Sequence, residues 1–159
     1  MSELVAHLDR QVRSTRRLLG IVISQATAIR ERDVETVLTR LAELQGEMVQ
    51  RAQLEQERDG LMKRSAVLLR LDPAEVDIDA LVTLETPGDA IVARDLSAEL
   101  KGLLSETARV HDRNRVLIRQ ELSFLDHLMR MLSGTMRTGY SPDGVTHTPQ
   151  AMNAINATA

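Results

Sequence analysis

The sequence lacks cysteine and tryptophan, and its only aromatic residues are Phe124 and Tyr140. Without cysteine it forms no disulfide, no cysteine-ligated metal site and no thiol nucleophile. Cores of β and mixed proteins normally use more aromatic rings. The abundance of Leu, Ala, Met, Arg, Glu and Gln is instead typical of helical bundles, and 159 residues predict one domain.

Long apolar runs are also missing, and the richest stretch, residues 18–23, is far too short to span a bilayer. The N-terminal Met-Ser-Glu-Leu has no basic region followed by an apolar one, as a secretory signal would. We therefore expect a cytoplasmic protein without membrane insertion. A net charge of −3 also argues against nucleic-acid binding, which requires concentrated positive charge.

Catalytic signatures are absent from the sequence as well. It has no glycine-rich phosphate loop and no Gly-x-Ser-x-Gly elbow. The histidines, at 7, 111, 127 and 147, are scattered along the sequence. Glu3 and His7 are four residues apart, but two ligands near a fraying terminus make a weak metal site, and these two residues are better explained as solvated side chains. We expect no enzyme activity, no catalytic residue, no metal and no cofactor.

Apolar spacing predicts long helices over about residues 2–31, 33–70 and 88–134. The first helix carries a heptad-like apolar seam. Its members are Leu8, Val12, Thr15, Leu19, Val22, Ala26 and Ile29. The second helix begins with apolar residues at the same spacing of three and four: Val34, Val37, Leu41, Leu44 and Met48. In the third, the polar seam residues Thr107 and Asn114 are expected to set the register against a partner helix.

Residues that can cap a helix mark where each later helix is predicted to begin. Asp33 can cap the second helix, Asp72-Pro-Ala-Glu75 begins a short helix ending near Leu84, and Thr86-Pro-Gly-Asp89 begins the last. The predicted fold is all-α, an up-down-up bundle of three long antiparallel helices with a short crossover helix and a disordered C-terminal tail. We expect a bundle domain over 1–136 and a flexible tail over 137–159.

The end of the last long helix is apolar around most of its circumference. Its apolar residues are Leu117, Ile118, Leu122, Phe124, Leu125, Leu128, Met129, Met131, Leu132 and Met136. By spacing alone, such a helix is best explained as the centre of the bundle or a homodimer seam. The alternative is an exposed surface that accepts an amphipathic helix from another protein, where methionines repack at little cost.

Three segments of this C-terminal part resemble the signature of the FlgN-type flagellar export chaperones. They are Asn114-x-x-Leu-Ile-x-x-x-Leu122, Leu128-x-x-Met-Leu132 and, after a short spacer, Tyr140-x-x-x-Gly144. The N-terminal half is similar only in its two long helices with leucine seams. The Gly-, Pro- and Thr-containing tail after Gly144 departs from the pattern.

The resemblance implies an all-α chaperone of flagellar type III secretion. Such a protein holds the C-terminal amphipathic helix of hook-filament junction proteins, prevents their premature assembly and delivers them to the flagellar export gate. Carried over, the cargo site would be lined by Leu117, Ile118, Leu122, Leu125, Leu128, Met129 and Leu132. Tyr140 would contact the export gate. The alternative is a structural or regulatory coiled-coil homo-oligomer without secretion cargo.

Overall fold

The computed structural model describes the backbone of residues 1–136 and the side chains of residues 1–131. This part is all-α, with no strand, as predicted. Its elements are α1 (Glu3–Glu31), α2 (Val34–Leu69), a 3₁₀ turn (Pro73–Glu75), α3 (Ile78–Val82) and α4 (Pro87–Met136). It divides into two compact units, one spanning Met1–Glu121 and the other beginning at Leu122. The predicted tail and its boundary at 136/137 remain predictions.

Local capping chemistry fixes the ends of the long helices. The Ser2 hydroxyl accepts a hydrogen bond from the Val5 N–H at 3.2 Å, and α1 ends at Arg32, whose φ of 56° is left-handed. The carboxylate of Asp33 then accepts the Thr36 N–H at 3.0 Å and begins α2. Thr86 caps α4 by accepting the Asp89 N–H at 3.2 Å. The predicted helix starts at Asp33 and Thr86 are therefore confirmed.

The crossover between α2 and α4 differs from the single short helix that the sequence predicts. Asp72 accepts the Ala74 N–H at 2.9 Å, as expected for a cap, but only one 3₁₀ turn follows. Asp77 caps a second start by accepting the Ala80 N–H at 2.8 Å. The extended residue between them, Val76, is buried in the core. Capping by both Asp72 and Asp77, with Val76 buried between them, replaces the predicted single helix by two short segments.

The main hydrophobic core gathers the ends of several elements. It unites the start of α1, the C-terminal half of α2, the crossover and the start of α4. Its buried members are Leu4, Val5, Leu61, Ala66, Val76, Leu81, Val82 and Ala93. Burial of each large aliphatic side chain contributes roughly 1.5–3 kcal/mol. This cluster therefore ties the crossover to the long helices.

Further along, α1 and α2 are joined by polar side chains. The Ser14 hydroxyl donates to Glu47 Oε1 at 2.7 Å, and the Arg17 guanidinium reaches both oxygens of that carboxylate at 3.2 Å. Arg51 donates to the Thr15 hydroxyl at 2.8 Å. The two helices run antiparallel, because residue numbers along α2 fall as those along α1 rise. The ion pairs that show this are Glu3–Arg64, Arg10–Glu57 and Arg17–Glu47.

The contacts between α1 and α4 include a buried asparagine. Asn114 is 1% exposed, and its Nδ2 donates to the Val22 carbonyl at 2.8 Å and to Gln25 Oε1 at 3.3 Å. An ion pair joins Arg32 and Glu121 at 3.8 Å. Since residue numbers rise together along these pairs, α4 runs parallel to α1. Thr107 is also buried, but its hydroxyl donates to the Leu103 carbonyl of its own helix at 2.7 Å. Of the two predicted seam residues, Asn114 is therefore the one whose hydrogen bonds reach a neighbouring helix.

The predicted seam at the start of α2 is wrong for most of its members. Val34, Leu41 and Met48 are exposed, whereas Val37 and Leu44 are half-buried. The physical reason is that α1 packs on the side of α2 that carries Glu47, where the Ser14 and Arg17 bonds fix the helix. The apolar face of α2 consequently turns partly to solvent.

The central polar contact can be tested at Glu47. Burial disfavours its ionised form, but the hydrogen bonds from Arg17 and Ser14 outweigh that effect and lower its pKa. A lowered pKa stabilises the folded state above the ordinary carboxylate pKa of about 4.5, and this stabilisation is lost as pH falls through the folded-state pKa. Glu47→Gln should therefore lower the unfolding free energy at pH 7 by roughly 1–3 kcal/mol in urea titrations.

The matched control is Glu43→Gln, because Glu43 pairs with Arg40 at the surface at 2.6 Å. It should change stability by less than about 0.5 kcal/mol. The gap between wild type and Glu47→Gln should shrink below pH 4.5. Equal stabilities of the two variants at pH 7 would contradict this role for Glu47.

Candidate functional site

The predicted cargo-binding residues all lie on α4, and the structure places most of them at the surface. Leu122, Leu125, Leu128 and Met129 are exposed. Leu117 and Ile118 are half-buried and belong to the unit Met1–Glu121. The backbone of Leu132 is helical, but its side chain lies outside the described residues, as does all of Tyr140.

Spacing along the helix puts the exposed apolar residues on one broad face. The set comprises Leu122, Phe124, Leu125, Leu128, Met129 and Met131, which we term the α4 ridge. At about 100° per residue, these side chains cover roughly half of the helix circumference. Phe124 and Met131 are additions to the predicted site; both were visible in the sequence as apolar residues of the same helix.

Exposure decides between two interpretations of this helix. Leu122 is 60% exposed, Phe124 54% and Leu125 52%. A central bundle helix would bury these side chains, so that interpretation is wrong for the α4 ridge, whereas a homodimer seam is compatible with their exposure in the single chain. Contiguous exposed apolar side chains are instead typical of a surface that binds another protein.

The opposite face of this part of α4 is polar. Arg130 and Asp126 form an ion pair one turn apart, and Gln120, Ser123 and His127 are exposed. Polar side chains here keep the helix hydrated on one side while the α4 ridge presents its apolar face. The combination is an amphipathic helix with one apolar and one polar side.

The expectation that His7 is solvated is wrong. It is buried against α2, with Nε2 3.4 Å from Gln11 Nε2 and Nδ1 3.7 Å from the Glu57 carboxylate. Burial and, after it, the charge of Arg10 lower the pKa of His7. Glu3 pairs instead with Arg64. No group of three potential metal ligands occurs among the described residues.

Comparison with protein families shows which family the chain belongs to. The family model described as FlgN protein matches residues 1–148, which is most of the chain. The chain therefore belongs to the FlgN family, a family of flagellar export chaperones that bind hook-associated proteins. The match extends over the N-terminal half, where the sequence resembles the family only in general character.

Searches of curated proteins and of solved structures found no match. Within residues 1–136, no helix is long and apolar enough to cross a membrane.

If the α4 ridge is a surface rather than a core, charges should be tolerated on it. The double variant Leu125→Asp, Leu128→Asp should keep its helical circular dichroism and change the unfolding free energy by less than about 1 kcal/mol. Loss of several kcal/mol, as in a core substitution, would show that these leucines are packed.

Proposed function

We propose that this chaperone holds the C-terminal amphipathic helix of a hook-filament junction protein against the α4 ridge. In doing so it prevents premature assembly of the cargo and delivers it to the flagellar type III export gate. The observation that carries the proposal is the exposed apolar face of residues 122–131 in a chain of the FlgN family.

Burial of apolar surface supplies the binding energy. A cargo helix that later assembles through its apolar face must hide that face beforehand, and the α4 ridge offers an equivalent partner. Each Å² of apolar surface removed from water contributes about 25 cal/mol. Ordering of the cargo helix offsets part of this gain, so the complex is firm but reversible.

The composition of the α4 ridge suits a helical ligand. Leu122, Leu125 and Met129 recur at spacings of three and four, which matches the spacing of anchors on an amphipathic helix laid alongside. Met129 and Met131 carry flexible, polarisable thioethers that adapt to different partner side chains. One surface can therefore hold related cargo helices that differ in detail.

The preceding part of α4 is anchored firmly to α1. Asn114 is bonded to the Val22 carbonyl, and Glu121 pairs with Arg32 at the end of α1. These contacts hold α4 as far as Glu121 without using the side chains of the α4 ridge. Capture and release of a helix form and break no covalent bond.

The second candidate function is a homo-oligomer that uses the α4 ridge as its own seam. The exposure of Leu122 and Leu125 in the single chain is what such a seam requires before it pairs. The two functions differ in what covers the leucines: a foreign helix or a second copy of this chain. Light scattering of the purified chain, with and without a junction protein, separates them.

Charges on the α4 ridge should abolish cargo capture. Leu125→Asp, Leu128→Asp should weaken binding of a junction-protein C-terminal helix by at least about a hundredfold. In the complex, two carboxylates would have to lose their water where the wild type buries two leucine side chains. The measurement is isothermal titration calorimetry with a labelled junction-protein peptide. The control is Gln120→Asp, Ser123→Asp, which adds the same charge to the polar face of the helix.

The control variant should bind as the wild type does. Equal loss in both variants would mean that net charge, rather than the α4 ridge, governs binding. Unchanged binding in the leucine variant would remove the α4 ridge as the cargo site.

Delivery should depend on Tyr140, which the resemblance assigns to the export gate. In a flagellated host carrying the variant chaperone, Tyr140→Ala should leave cargo binding unchanged and reduce the junction protein found in the medium severalfold. Tyr140→Phe should retain most of the secretion if the ring is the anchor, since apolar contact area persists. Normal secretion by the alanine variant would contradict this role.

A further inference from the structure

A cleft lies between α1 and α4 within the unit Met1–Glu121, separate from the α4 ridge. Its apolar lining comes from Ile23 and Ala26 of α1 and from Val110 and Leu117 of α4. Its volume of about 190 Å³ is sufficient for an aliphatic side chain. Ile23 is 48% exposed at its edge, which is unusual for a large aliphatic residue between two packed helices.

The rim of the cleft is positively charged, although the chain as a whole carries −3. Its lining contains three arginines, Arg30, Arg109 and Arg113, and a single carboxylate, that of Glu106. Arg109 binds that carboxylate through two hydrogen bonds of 2.9 and 2.6 Å, and this bonding lowers the pKa of Glu106. The cation of Arg109 is thereby neutralised, and those of Arg30 and Arg113 are not.

Arg30 and Arg113 differ from most arginines of the described chain, which form ion pairs. Arg30 donates only to the Thr27 hydroxyl at 3.2 Å, and within residues 1–131 neither Arg30 nor Arg113 has a carboxylate partner. The floor also holds Asn114, whose Oδ1 is buried and accepts no hydrogen bond from the described residues. The cleft thus combines apolar surface, two unpaired cations and an unused acceptor.

We propose that this cleft docks an acidic amphipathic helix of a partner protein. An aliphatic side chain of that helix enters between Ile23 and Leu117, and its flanking carboxylates pair with Arg30 and Arg113. Guanidinium groups bind carboxylates through directed, charge-assisted hydrogen bonds. The surface is therefore a second docking site, with a specificity different from that of the α4 ridge.

Two other occupants fit the cleft less well. The chain's own residues 138–159 contain a single acidic side chain, Asp143, and could satisfy only one arginine through a side-chain carboxylate. A nucleic acid would use the arginines, but its phosphates gain nothing from the apolar lining. An acidic amphipathic helix matches both features, because its apolar side chain fits the apolar floor and its carboxylates fit the cationic rim.

The test uses three designed helical peptides of equal length. One carries leucines on one face flanked by glutamates, the second replaces the glutamates with lysines, and the third replaces the leucines with serines. By fluorescence anisotropy at low salt, the full chain should bind the first at least about tenfold more tightly than either other peptide. Added salt of roughly 0.5 M should weaken that binding, because the rim is solvent-exposed.

Charge reversal tests the rim directly. Arg30→Glu, Arg113→Glu should lose about tenfold or more in affinity for the acidic peptide while keeping its helical circular dichroism. The control is Lys63→Glu, Lys101→Glu, which makes the same change in net charge at exposed positions outside the cleft. The control should retain the wild-type affinity.

Further outcomes would overturn the proposal. Equal binding of the acidic and lysine peptides, or equal loss in both charge-reversal variants, would show that the cleft has no specificity for acidic helices. Loss of acidic-peptide binding in Leu125→Asp, Leu128→Asp would place the peptide on the α4 ridge instead. Tighter, arginine-dependent binding of a uridine oligonucleotide would identify a nucleic-acid site.

Discussion

Buried polar contacts along α1 position the two other long helices, and the rest of the architecture depends on them. Ser14 and Arg17 fix α2 through Glu47, while the Val22 carbonyl fixes α4 through Asn114. Apolar contacts alone tolerate sliding between helices, whereas a buried hydrogen bond is satisfied in one register only. The polar contacts therefore decide which face each helix turns outwards.

That choice leaves apolar surface exposed to solvent. On α2 the packing side carries Glu47, so Val34, Leu38 and Met48 face solvent. On α4 the anchoring contacts end at Glu121, and the α4 ridge follows directly along the helix. A chain that buried all its leucines in its own core would be more stable, but it would lack the exposed apolar surface on which the proposed function depends.

The sequence predicted those features that depend on local chemistry. Helix starts at Asp33 and Thr86 follow from side chains that accept nearby backbone N–H groups, and the buried Thr107 and Asn114 follow from heptad position. The helix break at Asp77 was not predicted, because Asp72 and Asp77 can each cap a helix start there. Which start forms depends on the burial of Val76 in the core. Burial of His7 was missed because periodicity assigns a residue to a face without identifying its neighbours.

The candidate site was predictable in part for the same reason. Spacing identified the apolar residues of the α4 ridge, but it favoured a buried central helix, because the exposed or buried state depends on the other helices. The α1–α4 cleft has no local signal at all, since Ile23 and Arg30 lie far along the chain from Arg113 and Leu117. Only the packing of α4 on α1 brings them together.

A foreign helix that covers the α4 ridge should protect the backbone of α4 from exchange with solvent. This is tested by hydrogen–deuterium exchange of the full chain, alone and with a hook-filament junction protein. We expect peptides covering residues 117–132 to exchange more slowly when the junction protein is present, and the free chain to be monomeric. Unchanged exchange in that segment, or slow exchange in a free chain that is already dimeric, would rule out coverage of the α4 ridge by a foreign helix.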